Sequence, residues 1–314
     1  MYKIGVDLGG TNIALGIIKD DEIVFKKSIP TGLPKEPSEL VNDIKNLVNN
    51  CVEKFGITME DIEKVGFGIP GSINEKNSYL EFANNFGYVH VPLIKMLKES
   101  LKLPVFAGND ANVAALAEYT LGAARGAKSM AMFTLGTGLG GAYICDGKIL
   151  SGVNGAAGEF GHEVIVVDGE LCSCKRRGCS EMYVSATALR NAGKMAAKSH
   201  TESILYKKLI SVKDFGAREV IEAANEGDLT AKKVYDKYLK YLSVAMANII
   251  NIFQPEIFVI GGGVSHAGDA LLQPLKTLVG EQVYSRTMDI NTKIRLAVLG
   301  NDAGILGAGK LGEY

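Results

Sequence analysis

The sequence reads as an α/β protein of two domains, and three observations carry that reading. Strands, tight glycine turns and helices alternate along all 314 residues, with no low-complexity linker between them. A pattern of strand, glycine turn, strand, acidic hairpin turn and strand occurs at residues 5–24 and again at 132–150. Leu8 and Gly9 align with Leu135 and Gly136, as expected of a duplicated domain. The length also exceeds what one hydrophobic core usually serves.

The elements follow in order. "YKIGVDL" (2–8), "IALGIIK" (13–19) and "IVFKKSI" (23–29) are apolar runs separated by the turns "GGTN" and "DDE", a meander of three strands. Residues 37–54 place Leu40, Ile44, Leu47, Val48 and Val52 at helical spacing. "KVGFGIPG" (64–71) is a strand ending in a glycine-proline turn. "LPVFAGNDANVAALAEYTLGAARG" (103–126) predicts a short strand, a tight turn and an alanine-rich helix that starts near Asn109 or Asp110. The repeat at 132–150 supplies three more strands. Residues 227–253 form a long helix with a broad apolar face, ended before Pro255. "EIFVIGGGVS" (256–265) is a buried-type strand running into a glycine turn and a helix. "TKIRLAVL" (292–299) and a helix after Asn301 and Asp302 close the chain.

Charge excludes some classes of function. With 34 Lys plus Arg against 35 Asp plus Glu, no basic field exists to attract nucleic acid or an anionic membrane. The first residues lack the pattern of a signal peptide, and no run reaches the roughly 18 apolar residues needed to span a bilayer. The expected location is the cytoplasm, where thiols stay reduced, and five cysteines is an odd count for a disulfide framework.

Three glycine turns follow strands: "DLGGTN" (7–12), "LGTGLGG" (135–141) and "IGGGVS" (260–265). Without a Cβ, backbone N–H groups there can converge on an anion. Each alone reads as a structural turn. Together, two of them with threonine hydroxyls, they point to a nucleotide phosphate site that includes Gly261, Gly262 and Gly263. Gly136, Gly138 and Gly141 match the spacing of a dinucleotide fingerprint, but a strand follows instead of the required helix. "GAARGAKS" (122–129) fails the phosphate-loop spacing, because Lys128 does not directly follow the second glycine. Asp7, beside the first turn, is either a turn cap or a hard oxygen ligand for Mg²⁺. Asn109 and Asp110 divide evenly between an N-cap and the general base that phosphoryl transfer to an alcohol requires.

The stretch "EFGHEVIVVDGELCSCKRRGCSE" (159–181) gathers three of the five cysteines and one of four histidines. A Cys172–Cys174 disulfide would close a very tight ring, and any pairing leaves a thiol over. The thiolates of Cys172, Cys174 and Cys179 with the imidazole of His162 would instead fill a tetrahedral zinc shell, whereas a catalytic zinc keeps one position open. The basic triplet Lys175, Arg176 and Arg177 reads as a solvated loop around the metal.

The ordered set "DLGGTN", "GIPG", "GNDAN", "LGTGLGG", "GEFGHE" and "CSCKRRGCSE" resembles the ROK family of bacterial sugar kinases and related repressors, from about residue 3 to the C-terminus. The resemblance implies an actin-like, hexokinase-type (ribonuclease H-like) fold. Residues 1–112 with 300–314 would form the smaller domain. Residues 113–299 would form the larger one, with the zinc loop and the contacts of a homodimer or tetramer. ATP and sugar would meet in a cleft between them. By the family pattern Asp110 is the base for the 6-hydroxyl of glucose, while Asn84, Asn109, Glu159, His162 and Glu181 hydrogen-bond other hydroxyls. Gly9, Gly10, Thr11 and Asn12, with Gly136, Thr137 and Gly138, would hold the phosphates, and Asp7 would help place Mg²⁺. A structural Zn²⁺ would join His162, Cys172, Cys174 and Cys179.

Two departures stand out. "NNFGY" (84–88) replaces the usual NLxGW, putting Asn85 and Tyr88 where Leu and Trp are common, and Lys175 replaces a glycine after the second cysteine. The first bears on which hexose is taken, with N-acetylmannosamine, allose and fructose as rivals to glucose. A sugar-responsive repressor would carry a helix-turn-helix segment before "DLGGTN", and a start at residue 7 leaves no room for one.

Overall fold

The computed structural model describes residues 1–74 and 78–313. The remaining positions within the expected smaller domain, 75–77 and 314, lie outside the described residues.

The chain opens with the expected meander, β1 (Tyr2–Leu8), β2 (Asn12–Lys19) and β3 (Glu22–Pro30). α1 (Pro37–Phe55) starts with a proline in its first turn and a capping box between Glu36 and Glu39, and buries Leu40, Ile44, Leu47, Val48 and Val52. β4 (Ile62–Ile69) is nearly all buried. Three short strands follow, β5 (Ser72–Asn74), β6 (Tyr79–Ala83) and β7 (Tyr88–Val91), then α2 (Leu93–Leu101). β8 (Val105–Asn109) runs directly into α3 (Asp110–Thr120).

The repeat appears as β9 (Ser129–Leu135), β10 (Leu139–Cys145) and β11 (Lys148–Ile149). Helices α4 (Glu181–Val184), α5 (Ala186–Ser199), α6 (Ile204–Ser211) and α7 (Ala217–Asn225) precede the long α8 (Leu229–Phe253). The carboxylate of Asp228 caps α8 by accepting from Ala231 N. β12 (Ile257–Gly261), α9 (Asp269–Gln282), β13 (Lys293–Leu296) and α10 (Ala303–Lys310) complete the chain.

Both large sheets have one plan. The first has the order β3-β2-β1-β4-β8 and the second β11-β10-β9-β12-β13. β1, β4 and β8 run parallel, as do β9, β12 and β13. The duplication read from the two glycine-turn meanders is therefore a duplication of topology. A third sheet, β5-β6-β7, is antiparallel.

The chain divides into two compact units, Met1–Lys128 with Ala142–Gly158 and Val298–Tyr314, and Ser129–Gly141 with Glu159–Ala297. In the first unit, the period of two along β1 sends Ile4, Val6 and Leu8 into a core shared with α1 and α2. Gly5 and Asp7 face the other way, toward α10. That helix packs so closely that a Cβ on Gly5 would lie 2.0 Å from the Ile305 carbonyl oxygen, and one on Gly66 of β4 1.8 Å from that of Ala308. Among the described residues no helix is long and apolar enough to cross a membrane.

Candidate active site and metal centre

The first unit holds two carboxylates at the ends of parallel strands. Asp7 is in register with Gly68 of β4, and Gly68 with Gly108 of β8, one residue before Asn109 and two before Asp110. Side chains are thus missing in the two neighbouring strands just where the two acids could approach each other. Burial, and then the charge of Asp110, push the Asp7 carboxyl up to about 6, against a smaller pull downward from Lys26. Gly304 of α10 backs Asp7: a Cβ there would sit 2.7 Å from the Asp7 Cγ.

The N-cap of α3 is Asn109, with extended backbone at φ −58° and ψ 142°. Its Oδ1 accepts from Ala111 N (3.0 Å) and Asn112 N (3.2 Å), and its Nδ2 donates to the Gly71 carbonyl (3.1 Å). Capping is therefore the task of Asn109, and Asp110, the first helical residue, is released from it. Asp110 Oδ1 accepts from Ala111 N at 2.8 Å. Burial pushes the Asp110 carboxyl above the usual carboxylate range, outweighing the hydrogen bonds from Ala111, its own backbone N–H and Asn109. A buried carboxyl with a raised pKa binds a proton more tightly than a solvated one, which is the property a base needs.

The first glycine turn is closed by Gly9 N to Asn12 O (2.9 Å). Fully buried Thr31, absent from the sequence reading, clamps it from β3's end: its N–H donates to Thr11 O (2.9 Å) and its Oγ1 to Gly9 O (2.6 Å). Gly10 lies against Asn85, whose Cβ would be 3.5 Å from a Cβ on Gly10. Asn84 and Asn85 are exposed on a short 3-10 turn after β6. Tyr88, the departure from Trp, is a buried ring whose hydroxyl donates to the Lys35 carbonyl at 2.7 Å.

The second unit brings the other two glycine turns together. Gly262, at φ +80°, leaves no room for a side chain, since a Cβ would fall 2.6 Å from the backbone of Leu135, the residue before Gly136. Gly136 N donates to Gly138 O (3.1 Å), and Gly136 O accepts from Ala186 N (2.9 Å), fixing the turn to the start of α5. Glu181, the first residue of α4, accepts from Leu139 N at 2.9 Å, and a Cβ on Gly138 would lie 2.3 Å from its Oε2. Thr137 and Glu181 both line a cavity of about 800 Å³, with Met182, Tyr183, Lys237 and Tyr241, a volume suited to a small organic ligand.

Glu159 precedes, and His162 ends, a 3-10 turn, Phe160–His162. All five cysteines are free thiols. The donor atoms of His162, Cys172, Cys174 and Cys179 lie within 4.8 Å of one another. Cys174 Sγ is 3.6 Å from Cys179 Sγ, and Cys172 Sγ is 3.6 Å from His162 Nδ1. A tetrahedral zinc with Zn–S bonds of about 2.3 Å separates its sulfurs by roughly 3.8 Å, so the set fits that ion.

A small hairpin folds these donors inward. Cys172 N donates to Arg176 O (2.8 Å), Lys175 N to Cys172 O (3.0 Å) and Gly178 N to Glu170 O (2.9 Å). Lys175 takes φ +73°, the left-handed conformation that the more usual glycine adopts readily. Arg176 Nη1 donates to His162 O and Arg177 Nη1 to Gly169 O, both at 3.2 Å, so two of the three basic residues brace the loop. Glu163, also unread from sequence, follows His162; burial pushes its carboxyl up to about 7 despite a hydrogen bond from Asn248.

The sequence pattern of the ROK family matches residues 3–313. The chain belongs to the ROK family. Among its relatives, a glucokinase of Halalkalibacterium halodurans is 39% identical over 312 residues, covering 99% of this chain and 94% of the relative. A glucokinase of Thermotoga maritima is 37% identical over 309 residues, covering 98% and 96%. The crystal structure of a ROK family glucokinase from Streptomyces griseus in complex with glucose and AMPPNP is 33% identical, with a TM-score of 0.85 over 100% of this chain and 99% of that one. The two-domain, actin-like and hexokinase-type fold expected of a ROK protein is the one present.

Proposed function

We propose that this ROK protein is an ATP-dependent sugar kinase of the glucokinase type, transferring the γ-phosphoryl group of Mg-ATP to the 6-hydroxyl of glucose. The observation that carries the proposal is the Asp7–Asp110 pair beside the first glycine turn, with Asn109 supplying the helix cap. Near-full-length identity of 39% to a glucokinase supports the same activity.

Asp110 is the general base. As the sugar oxygen attacks the γ-phosphorus, its O–H bond breaks and the proton passes to the Asp110 carboxylate; a new P–O bond forms and the bond to the β-phosphate oxygen breaks, releasing ADP. Asp7 is the group that would hold Mg²⁺ or its waters, and the ion would offset charge on the phosphates. Gly9 and Gly136 shape the first two turns, their N–H groups donating to Asn12 O and Gly138 O, while Gly10, Thr11, Asn12, Thr137, Gly138 and Gly261 to Gly263 face the nucleotide with backbone and hydroxyl groups. Asn84, Asn109, Glu159, His162 and Glu181 serve the remaining sugar hydroxyls.

His162, Cys172, Cys174 and Cys179 would hold a structural Zn²⁺. Four protein ligands would leave no position for water, so His162 and the loop leading to Glu181 would be held in place through that site. The protein acts in a reducing cytoplasm as a homodimer or tetramer; free thiols agree with that setting. Asn85 beside Gly10 is a specific reason to weigh a second hexose, because it places an amide where Leu is usual. The test is ADP release from Mg-ATP across a panel of glucose, N-acetylmannosamine, allose and fructose. Turnover with glucose supports the assignment, fastest turnover with another sugar moves it within the class, and no turnover with any overturns it.

A further inference from the structure

Glu118 has no task in the phosphoryl transfer just described, yet it is fully buried. It sits two turns along α3 from Asp110. Its Oε2 accepts from Ala123 N at 2.8 Å, and its Oε1 accepts from Val298 N at 2.9 Å and Leu299 N at 2.8 Å. Three fixed N–H donors replace the water that a buried carboxylate would otherwise lose. One donor belongs to the turn after α3, and two belong to the segment that leads into α10. That helix in turn backs Asp7 through Gly304. It also meets α3 through Gly307, where a Cβ would lie 1.8 Å from the Val113 carbonyl oxygen.

One carboxylate thus fastens the helix that begins with Asp110 to the segment that sets the helix behind Asp7. We propose that Glu118 is a positioning residue for the reaction: by locking α3 to residues 298–299 it fixes how Asp110 and Asp7 stand to each other. The inference rests on the kinase reading above. Its effect falls on the chemical step, because a base displaced by about 1 Å can cost on the order of 100-fold in rate while a bound sugar loses little.

The experiment compares wild type, Glu118→Gln and Gly122→Ala for kcat, for glucose KM, and for glucose binding by calorimetry. Folding is checked by circular dichroism. Glu118→Gln keeps the shape but turns one acceptor into an NH₂ group facing a backbone N–H. Gly122→Ala keeps the carboxylate but places a Cβ 2.1 Å from its Oε2. Both folded variants are expected to lose roughly 10- to 100-fold in kcat, with glucose KM and affinity within about 2-fold of wild type. The double variant is expected to be no worse than the more damaging single one, since both act on the same side chain and its hydrogen bonds. If Glu118→Gln does not fold, Gly122→Ala decides alone. Unchanged kcat in a folded variant overturns the inference, and so does a loss of kcat matched by loss of glucose affinity. Wild-type protein that releases no ADP with any hexose overturns the kinase reading instead.

Discussion

Replacing Asp7 by Asn separates what the fold tolerates from what the site requires. Burial and the neighbouring Asp110 push the Asp7 carboxyl from 3.8 up to about 6. The folded protein therefore holds a proton that the unfolded chain has already released. Wild-type stability is fullest below the unfolded pKa and falls as pH rises through the folded one. Two pH units correspond to about 3 kcal/mol once both states are ionised, and the deficit is about half that near pH 5. Asparagine has the same shape and fits against Gly304 but never ionises. Without Mg²⁺ or nucleotide, Asp7→Asn is expected to be more stable than wild type by about 1–3 kcal/mol near pH 8, with the gap shrinking toward pH 4. Urea unfolding at three pH values measures this, followed by far-UV circular dichroism because the chain has no tryptophan. The same variant is expected to lose most of its kinase activity. A gap that does not change with pH, or a variant less stable near pH 8, would show that the Asp7 charge is not strained in the free protein.

Two expectations concern the metal loop. Cys174→Ser is expected to lower bound zinc, measured by elemental analysis, and to weaken glucose binding and thermal stability together; normal glucose phosphorylation by zinc-free protein would break that link. Gly178→Ala touches no ligand, but φ is +81° and a Cβ would lie 1.7 Å from the Val166 carbonyl oxygen. It is expected to cost about 2 kcal/mol or more and to speed zinc loss to a chelator, and unchanged release would show that the hairpin does not hold the donors.

Much of the fold was readable because its long helices have clear periods and its long strands are apolar runs between turns. β1 to β3 are apolar runs bounded by turn residues, α1 and α8 carry apolar residues at helical spacing, and the glycine turns mark where strands stop. The sheet β5-β6-β7 was not read, since strands of three to five residues carry too few alternations to stand out. The short helices α4, α6 and α7 were missed for the same reason, and α5, though 14 residues long, buries only the sparse stripe Leu189, Gly193 and Ala197.

The candidate site divides similarly. Asn109 and Asp110 are both good N-caps in sequence, and only backbone angles and hydrogen bonds assign that task to Asn109. Thr31 and Glu118 gave no signal, because their partners lie far along the chain: Thr31 looks like a loop threonine, and Glu118 like a surface residue on an alanine-rich helix. The cysteine cluster was the easiest to read, because its donors sit close in sequence and need only one hairpin to converge.

The most direct measurement is steady-state ADP formation from Mg-ATP and glucose by wild type and Asp110→Asn, with glucose binding to each followed by calorimetry. If Asp110 is the base, wild type turns over glucose, and the variant binds it normally while kcat falls by about 10²- to 10⁴-fold. Near-normal turnover by Asp110→Asn, or no glucose-dependent ADP release by wild type, would contradict that assignment.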